Sequence, residues 1–217
     1  MDMSSDVRPL TGVPMRQRLT AAAAQLVAAG EAASLSTRRV AAVAGTSTMS
    51  VYTHFGSMEA LVRAVVEEGF ARLEAHLAAV EPTADPVHDL ARQTAAYVAH
   101  ARENPELYAV MFATAPLAGY RPATPEELHL GRHETLDRVG ASIERAVEAG
   151  RFESQHGSAP VFRWWTIVHG YVLLEGVGYL ARERGPGRVL GPLLVDFLVG
   201  QGDARARAGR SVSGVLT

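Results

Sequence analysis

Hydroxyl groups and aromatic rings are concentrated in the stretch TSTMSVYTHFGSMEAL, residues 46–61. If this stretch is helical, Val51 and Phe55, spaced i and i+4, form its apolar inner face. The outer face then carries four mostly short and polar side chains, which are Thr48, Met49, Ser50 and Thr53. Such side chains suit close approach to base edges in the major groove of DNA, with Tyr52 and His54 flanking them and reaching phosphates. The alternative interpretation makes Tyr52 a half-buried core ring and His54 an ordinary surface histidine, so spacing alone leaves DNA binding open.

Two histidines could support a different chemistry. His129 and His133 are spaced i and i+4, which can hold a metal ion on one helix face. No glutamate lies between them in a His-Glu-x-x-His pattern, and the flanking loop is rich in Gly and Pro, which favours an exposed pair. The chain also has no Gly-x-Ser-x-Gly elbow, phosphate loop or dinucleotide fingerprint. We therefore expect no enzyme, no metal and no cofactor, and a His-based metal-binding enzyme stays as the alternative.

Composition limits the class of protein further. The 217 residues are 47% hydrophobic and include no cysteine, which excludes disulfides and thiolate metal sites. The net charge is −2, yet five arginines and a single acid, Glu31, lie between Arg8 and Thr53. The longest apolar stretch, residues 164–180, contains a His and a Glu and is shorter than the roughly 20 residues of a membrane span. With no secretory signal at the start, we expect a cytoplasmic protein without membrane contact.

Helices must position residues 46–61, because strand-like alternation of apolar and polar residues is never sustained along the chain and Ala, Leu, Arg and Glu dominate. Ser36 and Ser47 are placed to cap two short helices, and Gly45 supplies the turn between them. Two short helices joined in this way form a helix-turn-helix signature. Ser57 is placed to cap a longer fourth helix that continues to about Val80.

A break at Pro82 and Pro86 predicts a domain boundary, so the predicted fold is all-α with two domains. The first is a three-helix helix-turn-helix domain, residues 14–80, that includes the linking fourth helix. The second is a helical domain over residues 81–202. Residues 1–13 and 203–217 are expected to be a disordered arm and a disordered tail.

The segment LSTRRVAAVAGTSTMSVYTHFGSMEALV resembles the DNA-binding domain of the TetR family of bacterial transcriptional regulators, and the resemblance covers residues 16–66. It rests on an Ala-x-x-x-Gly turn, a Tyr-x-x-Phe recognition helix and the Gly-Ser start of the fourth helix. It implies a DNA-binding regulator. Most members of the family are dimeric repressors that bind a palindromic operator. The implied DNA contacts are Thr37, Arg38, Thr48, Met49, Ser50, Tyr52, Thr53 and His54. Met58 stands where the family has a phosphate-binding Lys, which removes roughly one unit of counterion release per monomer.

By the same resemblance, the second domain dimerises and binds a small-molecule effector. The pattern Trp165-x-x-x-His169-Gly170 is similar to the Trp-His-Gly type of C-terminal domain found in one subgroup. Near-heptad spacing and a second apolar helix predict a four-helix homodimer interface. Its predicted residues are Trp165, His169, Val172, Gly176, Tyr179, Leu190, Leu194 and Phe197. For His169, a buried or interface role is favoured over a ligand or metal role.

An effector cavity is expected among the fifth to eighth helices. The candidates by position are Tyr97, Tyr108, Met111, Phe112, Trp164 and Glu175. For each of them taken alone, an ordinary core position is the favoured interpretation. Since few charges fall on the inward faces, the expected effector is small and mainly apolar. A regulator controlled by a protein partner, without a small-molecule effector, remains the alternative.

Overall fold

The computed structural model describes residues 13–112, 117, 120, 132–154 and 157–216, with 132–134 by main chain alone. The regular elements in these ranges are helices, which confirms the predicted all-α class. We number the α-helices in chain order as α1 Met15–Ala28, α2 Thr37–Val43, α3 Thr48–Phe55, α4 Met58–Ala78, α5 Pro86–Glu103, α6 Pro105–Met111, α7 Arg132–Glu148, α8 Ala159–Gly176, α9 Gly191–Gly200 and α10 Arg205–Val212. A 3-10 turn, Ala32–Ser34, precedes α2, and a π-helical turn, Pro186–Leu190, precedes α9.

The chain divides into two compact units, residues 1–69 with 106–123 and residues 70–105 with 124–217. The division falls inside α4 and not at the predicted boundary between residues 80 and 81. The physical reason is that the second half of α4 makes its polar contacts within the second unit. His76 bonds to Glu103, and Glu74 forms an ion pair with Arg138.

In the first unit, α1, α2 and α3 pack around a small core. Leu19, Val27, Val40 and Val51 are completely buried there. Local chemistry sets the helix ends. Ser36 Oγ accepts a hydrogen bond from the Arg39 amide at 3.4 Å, so Ser36 caps α2 as predicted.

The turns on either side of α3 need glycine. Gly45 and Gly56 have φ of +65° and +72°, a left-handed conformation that other residues adopt at a cost. Ser57 Oγ accepts from the Ala60 amide at 3.1 Å and caps α4. Ser47 occupies the N-cap position of α3 as predicted, but its side chain makes no capping hydrogen bond.

In the second unit, α5 packs against α7 in antiparallel register. Arg145 Nη1 donates to Asp89 Oδ2 at 2.8 Å, and one turn further on Gln93 Nε2 donates to Ser142 Oγ at 2.9 Å. The side chain of Asp85 accepts from two amides and caps α5. This pairing fixes which residues of the two helices face each other along their whole length.

The predicted disordered tail, residues 203–217, is wrong up to residue 216, because α10 folds onto the second unit. Buried Arg151 binds both carboxylate oxygens of Asp203 and also donates to Asp85 and to Ser211 Oγ. Val212 and Leu216 are buried beyond that network. The predicted N-terminal arm, residues 1–13, lies outside the described residues apart from Val13, which is exposed.

Two further boundaries differ from expectation. Helix α8 ends at Gly176 and does not continue to about Arg184, because Gly178 takes a positive φ of +84°. In the described part of the chain, no helix combines the length and apolar character needed to cross a bilayer.

Candidate functional site

Helix α3 presents the two faces that its sequence predicts. Val51 is completely buried and Phe55 is 9% exposed, so these two residues anchor the helix to the first unit. Most side chains of the other face are exposed, namely Thr48, Met49, Tyr52, Thr53 and His54, while Ser50 is half-buried. Met49 is 70% exposed and Tyr52 53% exposed, which is unusual for such large side chains. This face carries hydroxyl, thioether and ring groups and no Asp, Glu, Lys or Arg side chain.

Two hydroxyls of this face are already engaged locally. Thr53 Oγ1 donates to the Met49 carbonyl at 3.0 Å, and the Ser50 and Thr46 hydroxyls are 2.8 Å apart. Each hydroxyl oxygen still has acceptor capacity left. The bond between Ser50 and Thr46 also ties the first turn of α3 to the preceding turn, a contact that sequence reasoning missed.

Helix α2 brings two arginines to the surface beside Thr37, and they differ in their partners. Arg39 forms an ion pair with Glu31 and also donates to Ser34 Oγ. Arg38 is exposed, and among the described residues no side chain or carbonyl pairs with its guanidinium. Arg38 is therefore the arginine of α2 that is available to an external anion.

Two arginines of α1 hold the ends of the helix-turn-helix. Arg18 Nη2 donates to the carbonyl of Ala44, at the end of α2, at 2.6 Å. Arg16 Nη1 donates to the carbonyl of His54, near the end of α3, at 2.8 Å, and its guanidinium lies 4.3 Å from the centre of the Phe55 ring. A cation at the C-terminus of a helix satisfies unpaired carbonyls and opposes the negative end of the helix dipole. Sequence reasoning missed both roles, because no local signal pairs α1 with these helix ends.

The predicted effector residues do not form one group within either unit. Tyr97 and Trp164 are buried in the second unit with ring centres 5.8 Å apart. Trp164 Nε1 donates to Thr94 Oγ1 at 2.9 Å, and Trp165 Nε1 donates to the Tyr97 hydroxyl at 3.1 Å. These polar groups satisfy one another, which is the arrangement of a packed core.

Glu175, also in the second unit, is held by an ion pair. Arg102 donates to both of its carboxylate oxygens, at 2.8 and 2.6 Å, and the Tyr171 hydroxyl donates at 2.7 Å. Burial alone would raise the pKa of Glu175, but these hydrogen bonds outweigh it and lower the pKa below its usual value. The other three candidates lie in the first unit, where the Tyr108 and Phe112 rings are 4.7 Å apart and Met111 packs against Gly69.

A groove in the second unit lies between α7 and α8 and has a volume of about 930 Å³. Its walls combine the acidic side chains of Asp137, Glu144 and Glu148 with apolar groups such as Ile143 and Val161. None of the predicted effector residues lines it.

The predicted dimer residues are placed differently from expectation. Leu190, at the end of the π-helical turn, and Leu194, in α9, are completely buried, and Phe197 is 6% exposed. This part of the prediction is wrong, because these side chains pack into the core of their own unit. Val172 is buried too, and Trp165 stacks on His169 with ring centres 5.0 Å apart. Gly176 and Tyr179 are exposed.

Other large apolar side chains are exposed on α8, on α9 and in the segment after α8. They are Phe162, Leu174, Val177 and Leu193, which are 39%, 48%, 70% and 42% exposed. An apolar groove of about 540 Å³ between α8 and α9 is lined by Phe162, Thr166, Ile167 and Gly200.

The sequence offers His129 and His133 as a pair that could hold a metal ion. His129 falls outside the described residues, and so does the side chain of His133. Among the side chains that are described, no group of three or more His, Asp or Glu is arranged to hold a metal ion.

Comparison with known proteins gives two family matches. The model for bacterial regulatory proteins of the tetR family matches residues 19–65, and the model for the tetracyclin repressor-like C-terminal domain matches residues 90–197. These matches leave the Trp-His-Gly subgroup untested. A comparison with curated proteins found no match.

Several solved structures share the fold. RolR in complex with the ligand resorcinol is 18% identical, with a TM-score of 0.69 over 94% of this chain and 95% of that chain. A protein of unknown function from Rhodococcus sp. RHA1 is 23% identical, with a TM-score of 0.69 over 97% and 100% of the two chains. A bacterial regulatory protein in the tetR family from Rhodococcus RHA1 is 22% identical, with a TM-score of 0.61 over 88% and 99%. The two family matches, the exposed face of α3 and the shared fold lead to one conclusion: the chain belongs to the TetR family of DNA-binding transcriptional regulators.

Proposed function

We propose that this regulator is a homodimeric repressor that binds a palindromic operator through α2 and α3 and is released by a small, mainly apolar effector. The observation that carries the proposal is the exposed face of α3 next to the unpaired guanidinium of Arg38. A regulator of this kind acts by binding and not by catalysis, so we propose no enzymatic activity.

In the proposed complex, α3 lies in the major groove. Thr48, Met49, Ser50 and Thr53 face base edges, with the Met49 thioether and methyl available for contact with thymine methyl groups. Tyr52 and His54 reach phosphates on one side, and Thr37 with Arg38 reaches them on the other. Arg16 and Arg18 position α3 by holding the two helix ends and do not themselves contact DNA.

Arg38 and Arg39 give a matched pair for testing this arrangement. Both are exposed arginines of the same helix, but Arg39 is bound by Glu31 and Arg38 is not. We expect Arg38→Ala to weaken binding to an operator selected from random DNA by roughly 1–3 kcal/mol, and Arg39→Ala to weaken it much less. Fluorescence anisotropy at several salt concentrations measures both affinities, and circular dichroism checks that both variants stay folded. Parent-like affinity in Arg38→Ala would remove α2 from the proposed interface.

Homodimerisation is proposed through the exposed apolar surface formed by Phe162, Leu174, Val177 and Leu193. Exposed apolar patches often mark protein–protein interaction sites, which supports this choice of interface. Two copies reading a palindrome must hold their recognition helices about 34–36 Å apart, one turn of DNA. A shared surface between the second units would fix that spacing.

Two observations support the proposal that a small-molecule effector controls operator binding. RolR, which shares the fold, was crystallised with resorcinol, a small aromatic molecule. In the described part of the second unit, several buried side-chain polar atoms also have no hydrogen-bond partner. By thermodynamic linkage, an effector that weakens operator binding by some factor must itself bind the protein–operator complex more weakly than the free protein, by the same factor. Calorimetry with and without operator therefore decides between effector control and control by a protein partner.

A further inference from the structure

Among the described residues of the second unit, four have buried side-chain polar atoms without a hydrogen-bond partner. The atoms are Glu74 Oε2, Gln93 Oε1, both ring nitrogens of His100, and Thr135 Oγ1. His100 is completely buried, and Thr135 and Gln93 are 3% and 4% exposed. Buried polar side chains almost always bond to protein, to ordered water or to a bound ligand, so several unpaired atoms in one unit require a cause.

The helix register brings three of these residues together. Asp89 pairs with Arg145, and Gln93 with Ser142, so continuing the antiparallel register of α5 and α7 places His100 opposite Thr135. Helix α4 meets both α5 and α7 near His100 and Thr135. Glu74 Oε1 is bound by Arg138, one turn along α7 from Thr135, and the His76 ring centre is 5.0 Å from that of His100. His100, Thr135 and Glu74 therefore lie at one junction of α4, α5 and α7.

The unpaired atoms define the chemistry of a matching guest. Burial, followed by the nearby charges of His76 and Arg72, lowers the pKa of His100 to about 4, although Glu103 opposes this. The ring is thus neutral at physiological pH and offers one N–H donor and one acceptor nitrogen. Thr135 adds a hydroxyl that can donate and accept, and Glu74 adds an acceptor oxygen. A hydroxyl group, which both donates and accepts, complements this set, whereas a metal ion is not supported by any cluster of ligands in the described residues.

We propose that the junction of α4, α5 and α7 is the effector site and that His100, Thr135 and Glu74 bind the hydroxyl group of an uncharged small molecule, a phenol or an alcohol. This inference rests on the proposed function for its biological role, and it narrows the effector from apolar to hydroxylated. Buried Tyr97 and Val139 lie one turn away on α5 and α7 and provide the apolar remainder. Gln93 Oε1 offers a second acceptor about two turns along α5 from His100, within reach of a second polar group on a larger guest.

Matched probes test the role of the hydroxyl. Calorimetry on the full-length protein without DNA compares phenol with toluene, and cyclohexanol with methylcyclohexane, since each pair differs by a hydroxyl replaced with a methyl. We expect the hydroxylated member to bind at least about tenfold more tightly, because the apolar member leaves the buried polar atoms unpaired. His100→Leu and Thr135→Val should each weaken phenol binding about tenfold and leave toluene binding unchanged. Equal affinity within each pair, parent-like phenol affinity in both variants, or no binding of either hydroxylated probe would overturn the proposal.

A second measurement excludes a merely structural role for Thr135. Thr94 is the matched control, since its buried hydroxyl donates to the Leu90 carbonyl and accepts from Trp164. Without any probe, Thr94→Val should lower Tm, whereas Thr135→Val should leave Tm unchanged or raise it, because its hydroxyl has no partner to lose. An equal loss in both variants would show that the Thr135 hydroxyl is already satisfied in the protein alone, which contradicts the proposal.

Operator release is measured separately, by adding phenol to the protein–operator complex. Phenol that binds the free protein through His100 but does not release operator supports the site and refutes effector control by this chemistry. Release of operator by phenol that persists in His100→Leu and Thr135→Val supports effector control and refutes the site.

Discussion

Replacing Arg151 with Met removes the cation that joins three separate segments of the second unit. Arg151 is 9% exposed and binds Asp203, at the start of the C-terminal segment, and Asp85, the cap of α5. It also donates to Ser211 Oγ in α10 at 3.0 Å. Burial would raise the pKa values of Asp85 and Asp203, but hydrogen bonds outweigh it and lower both below the usual range. For Asp203 the strongest of these bonds comes from Arg151, and for Asp85 from Ser211, with Arg151 adding its charge.

The expected loss follows from what the substitution leaves behind. The Asp203 side chain is completely buried, and without Arg151 it keeps only Arg207 and the Ala204 amide as partners. Removing one partner of a buried ion pair costs about 3–5 kcal/mol, because the remaining charge is desolvated and poorly compensated. Arg205→Met is the matched control, since the ion pair between Arg205 and Asp196 is 66% and 59% exposed on its two sides. Exposed pairs contribute about 0–1 kcal/mol.

Tryptophan fluorescence during urea unfolding measures the effect in the unit concerned, because both tryptophans, Trp164 and Trp165, belong to it. With a urea dependence of roughly 1–3 kcal/mol per M, the midpoint of Arg151→Met should fall by roughly 1–5 M, and that of Arg205→Met by at most about 1 M. Equal midpoints in the two variants would refute the view that α10 is an integral part of the second unit.

Three further predictions concern proton binding, assembly and DNA contact. Since the folded protein keeps His100 neutral down to a pKa of about 4, the unfolded chain takes up a proton first, and the free energy of unfolding should fall by about 3 kcal/mol as the pH drops from 6.5 to 4. His100→Leu should remove that loss in urea titrations at several pH values, and an identical pH profile would contradict the burial of a neutral ring. Leu193→Glu places a charge on the proposed dimer surface without disturbing the core and should give a monomer by light scattering, whereas a stable dimer would place the interface elsewhere. Met58→Lys should tighten operator binding and steepen its salt dependence by about 0.9 per monomer, and an unchanged slope would mean that residue 58 does not approach a phosphate.

The helix-turn-helix could be predicted from the sequence because its determinants are local. Ser36, Gly45 and Gly56 set helix ends through their own side chains or backbone freedom. Helix α3 has few apolar residues, so Val51 and Phe55 leave no choice about which face is buried.

The second unit was harder to predict because its determinants are distant in sequence or ambiguous. Helix α9 is apolar on several faces, and periodicity could not show that Leu194 faces inward while Leu193 is exposed. The C-terminal segment is rich in Arg, Ala and Gly and looks like a disordered tail, but Asp203 and Ser211 find their partner in Arg151, over fifty residues away. The unpaired atoms of His100 and Thr135 likewise become visible only when α5 and α7 are aligned.

The partners of the arginines in the first unit affect how copies of the protein distribute between an operator and the rest of a chromosome. Of the four arginines described between residues 13 and 58, Arg16 and Arg18 are held by helix carbonyls and Arg39 by a carboxylate. Binding to arbitrary DNA is almost entirely electrostatic, and a genome offers about 10⁶–10⁹ such competing sites. The carboxylate of Glu31 offsets the charge of Arg39, whereas the carbonyls that hold Arg16 and Arg18 leave their charges in place but fix their positions. We therefore expect bulk DNA to bind this regulator less tightly than it would bind a chain with four free arginines, so that a larger share of its copies stays free to search for an operator.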